Sequence, residues 1–127
     1  IQKYSMQDSC VITSFDYSAL QAVRSYDEDI EVGYILSVAY GKFYEIDDVD
    51  FFSVNASFLT KRVVDAIHNS GKQVYAWTVN NDASIKNLTN KGVDNIITDK
   101  PVTAREVIYS RDTSETLINM IKYVFNQ

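Results

Sequence analysis

Five short runs of β-branched and aromatic residues, separated by segments with helical periodicity, constrain the fold of this 127-residue chain most strongly. Most of these runs lack a polar face, as strands that are buried on both sides do. Regular alternation of such strands with helices predicts βαβ units and a parallel sheet. The runs occupy residues 9–13, 31–36, 51–54, 73–79 and 94–98.

The segments between the runs carry helix start and stop signals. Asp16, Thr60 and Asp82 each precede an apolar periodic segment and are predicted to be N-caps, because their side-chain oxygens can accept from free helix N–H groups. Gly71 and Gly92 follow the second and third segments, where a residue with a left-handed conformation commonly ends a helix. The sequence therefore predicts a helix after three of the strands.

Two more helices are predicted after the fifth run. Pro101 stands near the start of the first, and Asp112 with Glu115 resembles a capping box that would start a separate amphipathic helix. The apolar stripe of that last helix consists of Leu117, Ile118, Ile121, Val124 and Phe125. We expect this stripe to cover an edge of the sheet or one end of a barrel.

Parallel βαβ units leave two main architectures open, a doubly wound open sheet and a (β/α) barrel. The sequence has no G-x-G-x-x-G and no phosphate-binding loop, so nucleotide-binding versions of the open sheet are disfavoured. The net charge of -5 argues against a nucleic-acid partner, whose phosphates an acidic surface repels. With one Cys and one His, a disulfide framework and a Cys/His zinc site are excluded.

Four motifs in order give a more specific indication. The chain reads GKQVYAWTVN at residues 71–80 and GVDNIITDKP at residues 92–101, and SFD and SVN stand upstream at residues 14–16 and 53–55. These motifs resemble those of the glycerophosphodiester phosphodiesterase family, whose fold is a (β/α)₈ TIM barrel. On this resemblance, residues 1–127 are the C-terminal portion of such a barrel, with about five of its strands and a C-terminal amphipathic helix.

The resemblance implies a hydrolase that converts glycerophosphodiesters into glycerol 3-phosphate and an alcohol. In the family, two histidines act as general acid and base, and carboxylates hold a divalent metal, usually Ca²⁺ or Mg²⁺. No position of this chain matches those residues, so we expect no catalytic residue and no metal ligand here, and the chain alone to be inactive. The first residue is Ile1 and not Met, and we therefore expect the chain to be a fragment of a longer parent. A different phosphate-handling barrel remains an alternative.

Substrate contact is predicted for three residues at the carboxyl ends of strands, where barrel active sites lie. The resemblance places Trp77 in the substrate pocket, and an aromatic ring with an N–H donor suits a half-polar ligand. Phe15 and Asn55 also stand at the carboxyl ends of strands, and we expect them to contact the substrate too. Phe15 could equally be a core residue, and Asn55 could cap a turn. Asn80 faces the same rim with the same alternatives.

Other polar residues are predicted to be structural. Asp16 and Asp99 precede helices, so we expect both to cap helix N-termini and not to bind a metal. His68 lies near the end of the helix that leads into the fourth run, which is the bottom of a barrel, opposite the chemistry. We expect it to have no catalytic role.

A second hypothesis is a non-catalytic α/β module that binds or self-associates. Five parallel strands without the rest of a barrel leave two open edges, and such edges tend to pair with other chains. Localisation is left open by the sequence. Residues 55–60 resemble family members with membrane-spanning segments ahead of the barrel, so membrane association through segments outside this chain is kept as an alternative.

Overall fold

The structure, a computed structural model, describes residues 1–125 as an alternation of five strands and four helices with short 3₁₀ turns. The strands are β1 (Val11–Ser14), β2 (Glu31–Leu36), β3 (Phe51–Asn55), β4 (Gln73–Trp77) and β5 (Asn95–Ile96). The helices are α1 (Tyr17–Tyr26), α2 (Lys61–Asn69), α3 (Asp82–Lys91) and α4 (Pro101–Phe125). The 3₁₀ turns are Gln2–Tyr4, Gln7–Ser9, Phe43–Glu45 and Ala56–Phe58.

All five strands form one parallel sheet in the order β1-β2-β3-β4-β5. A doubly wound sheet reverses its strand order at a switch point, whereas a barrel adds each strand beside the previous one. The sequential order therefore selects the barrel type from the two architectures that the sequence leaves open.

One face of the sheet packs against the helices and holds the main hydrophobic core. Successive side chains of a strand point to opposite faces, so every second residue of β2, β3 and β4 contributes to this core. Helices α1, α2 and α3 add the apolar residues that their periodicity predicts. The members are fully buried or nearly so: Leu20, Val32, Phe52, Val54, Val64, Ile67, Val74, Ala76, Ile85 and Leu88.

The opposite face, here called the inner face, carries the alternate residues of the three central strands. Adjacent strands set these residues side by side, with Gly33 opposite Phe51 and Asn55 opposite Trp77. The members are Glu31, Gly33, Ile35, Phe51, Ser53, Asn55, Gln73, Tyr75 and Trp77. The inner face thus mixes aromatic, polar and small side chains with one aliphatic residue, Ile35, and contrasts with the apolar helix side.

The amino edge of the sheet contains the same arrangement twice. Asp50, immediately before β3, accepts from the N–H of Val32 at 2.7 Å and binds Arg24 of α1 at 2.5 Å. Asp94, immediately before β5, accepts from the N–H of Val74 at 2.8 Å and binds His68 of α2 at 2.8 Å.

In both arrangements one carboxylate joins the last turns of a helix to the first residues of two strands. This confirms the predicted location of His68, at the edge opposite the carboxyl ends of the strands. It also gives the single histidine of the sequence a defined structural contact.

The last two predicted helices are one. Helix α4 runs unbroken from Pro101 to Phe125, and Asp112 lies in its interior, so the prediction of a new N-terminus there is wrong. No Gly or Pro interrupts this segment, and its hydroxyl side chains donate to carbonyls one turn back instead of capping. Arg111 and Glu115 add an ion pair at 2.9 Å.

The apolar stripe of α4 is not covered within the described structure. Leu117, Ile118 and Ile121 are each about half exposed, and Ala104 and Val107 are the buried residues among the described side chains of this helix. The side chains of Val124 and Phe125, which the sequence assigns to the same stripe, lie outside the described part. Within residues 1–125, no helix, α4 included, combines the length and the apolar character that a membrane span requires.

Two smaller predictions also need correction. Asn81, not Asp82, caps α3, because its side-chain oxygen accepts from the N–H of Ser84 at 2.8 Å and Asp82 is already the first helical residue. Strand β5 consists of Asn95 and Ile96 only, shorter than the predicted run, because the chain turns into the loop before α4. The caps at Asp16 and Thr60 are confirmed.

Candidate functional site

Two of the three predicted substrate residues are in contact at the carboxyl edge of the sheet. The rings of Phe15 and Trp77 meet edge to face, with centroids 6.2 Å apart and planes at 89°. Phe15 follows β1 and Trp77 ends β4, and three strand spacings would separate perpendicular side chains on a flat sheet by about 14 Å. The contact fits a sheet that curls around its inner face, as a barrel wall does.

Trp77 is held by its indole nitrogen. The Nε1–H donates to the carbonyl oxygen of Ser53 on β3 at 3.0 Å, and Ser53 itself is buried. The sequence predicts this N–H as a donor for a ligand, but in the structure it is used within the sheet. A ligand would therefore meet the surface of the indole ring and not its polar atom.

Asn55, the neighbour of Trp77 across the β3–β4 ladder, has a capping role. Its side-chain oxygen accepts from the backbone N–H of Ser57 at 3.1 Å and from the Ser57 hydroxyl at 2.5 Å, which starts the turn Ala56–Phe58. The oxygen is thus engaged, and the amide NH₂ is the part of Asn55 that can donate to a ligand.

Asp16 caps α1 as predicted. Its carboxylate accepts from the hydroxyl of Ser18 at 2.7 Å and from the Ser18 backbone N–H at 2.9 Å. These hydrogen bonds, the hydroxyl first, lower the pKa of Asp16, because they favour the charged form. A carboxylate engaged in this way stabilises the N-terminus of the helix.

Asp99 does not cap a helix, contrary to the prediction. Its carboxylate accepts from the side-chain amide of Asn80 at 2.8 Å, and its backbone N–H donates to the Asn80 side-chain oxygen at 2.9 Å. The free N–H of Lys100 before α4 is satisfied by the hydroxyl of Thr98 at 3.0 Å. Asp99 and Asn80 therefore join the loops that follow β4 and β5.

An aromatic pair that the sequence motifs do not single out lies beside Trp77 on the inner face. Tyr75 stacks on Phe51 with centroids 4.1 Å apart and planes 20° from parallel. The signal was available, because Tyr75 stands two residues before Trp77 in the same strand and must share its face.

Comparison with known proteins decides the family. The profile of the Glycerophosphoryl diester phosphodiesterase family matches residues 1–103, which include all five strands. The chain belongs to this family. A glycerophosphodiester phosphodiesterase of Caldanaerobacter subterraneus subsp. tengcongensis is 22% identical over 125 residues, which are 96% of this chain and 46% of that protein.

Solved structures agree on the fold. A glycerophosphoryl diester phosphodiesterase structure from Silicibacter pomeroyi DSS-3 aligns with a TM-score of 0.77 and 22% identity, over 87% of this chain and 41% of that chain. A phosphodiesterase from Oleispira antarctica, solved with the product sn-glycerol-3-phosphate, aligns with a TM-score of 0.70 and 28% identity, over 77% of this chain and 41% of that one. The five strands and their helices match part of the TIM barrel of the family, and the chain spans about half the length of these relatives.

Proposed function

We propose that the whole protein hydrolyses glycerophosphodiesters to glycerol 3-phosphate and an alcohol, and that this chain supplies one wall of the substrate pocket. The observation that carries the proposal is the contact of Phe15 with Trp77 at the carboxyl edge of a barrel-type sheet, where such sites lie. The bound glycerol 3-phosphate of the Oleispira antarctica relative supports the choice of substrate class.

We expect Trp77, Phe15 and Asn55 to contact different parts of the substrate. Trp77 presents an apolar ring to the carbon atoms of the glycerol moiety, because its N–H is already bound by Ser53. Phe15, which is 60% exposed, offers a second apolar surface at right angles to the first. The amide NH₂ of Asn55 donates to a hydroxyl or phosphate oxygen.

A divalent metal, Ca²⁺ or Mg²⁺, belongs to the proposal for the parent protein but does not fit the residues of this chain. Among residues 1–125, no three His, Cys, Asp or Glu side chains come together in a way that could hold an ion. The two carboxylates near the rim, Asp16 and Asp99, bind a helix N-terminus and Asn80 respectively. We therefore assign no metal-dependent step and no general acid or base to this chain.

Replacing Trp77 by alanine in a chain extended upstream to the length of the relatives is expected to lower kcat/KM for glycerophosphocholine about tenfold to hundredfold, the loss that removal of one large apolar contact surface brings. His68→Gln is the matched control, because His68 lies at the opposite edge of the sheet. We expect this variant to keep kcat/KM within about twofold of the wild type. Equal losses in both variants, measured by release of glycerol 3-phosphate, would contradict the proposed pocket.

Self-association is the second candidate function, and the edges of the sheet favour it. Among the described strands β1 pairs only with β2 and β5 only with β4, and Val11 on β1 is 47% exposed. Unpaired strand edges with apolar side chains invite pairing with another copy. We propose that this chain alone hides its edges in that way.

Val11→Lys is expected to shift the chain towards the monomer, because a charged side chain on an edge strand opposes pairing. Val38→Lys introduces the same charge at a residue that is 59% exposed and outside the sheet, and it should leave association unchanged. Light scattering at several chain concentrations measures the effect. A native chain that is strictly monomeric and unfolds cooperatively would rule self-association out.

A further inference from the structure

A cluster of side chains joins the two loops that follow β4 and β5. Asn80 is its centre: its amide donates to the carboxylate of Asp99 at 2.8 Å, and its oxygen accepts from the Asp99 N–H at 2.9 Å and from the Thr98 hydroxyl at 3.0 Å. Both hydrogen-bonding groups of one side chain are thus used between two loops. Asn80 and Asp99, with these bonds, are here called the rim clasp.

The rim clasp lies where the sheet has few other connections. The β4–β5 ladder consists of two residue pairs, Tyr75 with Asn95 and Ala76 with Ile96. Beyond these pairs, the N–H of Ile97 donates to Ala76 at 2.8 Å and the N–H of Val79 donates to Ile97 at 3.0 Å. Because the regular pairing ends so early, side-chain bonds have a larger share in fixing this corner.

Trp77 stands three residues before Asn80 in the same segment. Its ring is bound on the β3 side by the Ser53 carbonyl and touched from the β1 side by Phe15. On the β5 side the segment after Trp77 is held by the buried side chain of Val79 and by the rim clasp. The position of the ring therefore depends on the loop that the clasp fixes, although Asn80 forms no hydrogen bond with the indole.

We propose that Asn80 and Asp99 are positioning residues for the substrate pocket. Their clasp holds the end of β4 against the β5 loop and so keeps the Trp77 ring in place to meet the glycerol moiety. The ligand part of this inference rests on the proposed function, whereas the effect on Trp77 itself does not.

The clasp can be tested by exchanging the side chains of its two residues, Asn80 and Asp99. Asn80→Asp places two carboxylates face to face, so they repel and the loops separate. In the double variant Asn80→Asp with Asp99→Asn, a carboxylate at position 80 can still accept from Thr98 and from the backbone N–H of residue 99, and the new amide donates to it. The exchange should restore the contact.

Time-resolved fluorescence anisotropy of Trp77, the only tryptophan of the chain, is the test. Asn80→Asp is expected to increase the amplitude of nanosecond motion of the indole, and the double variant to return it to the native value. Asn81→Asp is the matched control, since it adds the same charge one residue away and keeps an N-cap at the start of α3. If Asn80→Asp does not fold, Thr98→Val removes one donor to Asn80 and should raise the motion by a smaller amount.

The proposal would be overturned if the Trp77 indole moved no more in Asn80→Asp than in the native chain. It would also be overturned if the double variant did not return the motion to the native value. A calorimetric titration with glycerol 3-phosphate, on the chain extended upstream to the length of its relatives, separates the two claims. Asn80→Asp should weaken binding about threefold to tenfold, the range of a lost charge-assisted hydrogen bond at a partly exposed site. An extended native chain that does not bind glycerol 3-phosphate, while the anisotropy behaves as expected, would refute the proposed function and leave the rim clasp intact.

Discussion

Gly33→Ala is expected to reduce the free energy of unfolding by about 3 kcal/mol, at the upper end of what overpacking a core costs. A Cβ at this position would lie 2.1 Å from Cε2 and 2.2 Å from Cζ of the Phe51 ring. The ring cannot retreat, because it is fully buried and stacked on Tyr75 with centroids 4.1 Å apart. Urea unfolding followed by Trp77 fluorescence measures the loss.

Gly41→Ala is the matched control for this prediction. No atom lies within 4 Å of a Cβ there, and the backbone has φ +67, so only the left-handed conformation opposes alanine, at a cost of about 1 kcal/mol. Combining Gly33→Ala with Phe51→Leu removes the ring carbons that clash and should recover part of the loss. A Gly33→Ala chain as stable as Gly41→Ala would show that the inner face is packed differently.

Asp50→Ala is expected to cost about 2 to 4 kcal/mol, because it leaves one buried N–H and one partly buried guanidinium without their acceptor. The N–H is that of Val32, which has no exposed surface, and the guanidinium is that of Arg24. Asp50→Asn keeps an acceptor for the N–H and loses only the charge, so its cost should be about 1 kcal/mol.

Asp47→Ala provides the control, since this neighbouring aspartate is exposed and its side chain forms no hydrogen bond with the described residues. Its removal should change the free energy of unfolding by about 0.5 kcal/mol or less. Asp94→Ala, at the second copy of the same arrangement, should be destabilising as well, because Val74 loses its acceptor. If Asp50→Ala behaves like Asp47→Ala, the carboxylate does not join α1 to the sheet.

The sheet could be predicted because each strand is marked by its own run of β-branched and aromatic residues. The run at residues 31–36 coincides with β2, since Val32, Tyr34 and Leu36 pack on the helix side. The run at residues 94–98 was predicted too long, because Thr98 and Asp99 use their side chains in loop contacts that propensity does not encode. Strand type is a local property, whereas the point where pairing ends depends on the neighbouring loop.

The candidate site was predictable only in part. Because Trp77 and Phe15 both stand at the carboxyl ends of predicted strands, the sequence predicts them at the same edge of the sheet. In the structure their rings are in contact. The partner of the indole N–H could not be foreseen, because the carbonyl of Ser53 belongs to a strand 24 residues away. The capping prediction for Asp99 failed for the same reason, since its partner Asn80 is distant in sequence.

The most direct test of the central claim compares this chain with one extended upstream to the full length of its relatives, in glycerophosphocholine hydrolysis with Mg²⁺ or Ca²⁺. Release of glycerol 3-phosphate by the extended chain, and none by residues 1–127 alone, is the predicted result. It would show that hydrolysis needs residues outside this chain. Absence of hydrolysis in both, with either metal ion, would contradict the proposed function and leave the family relationship as one of sequence and fold.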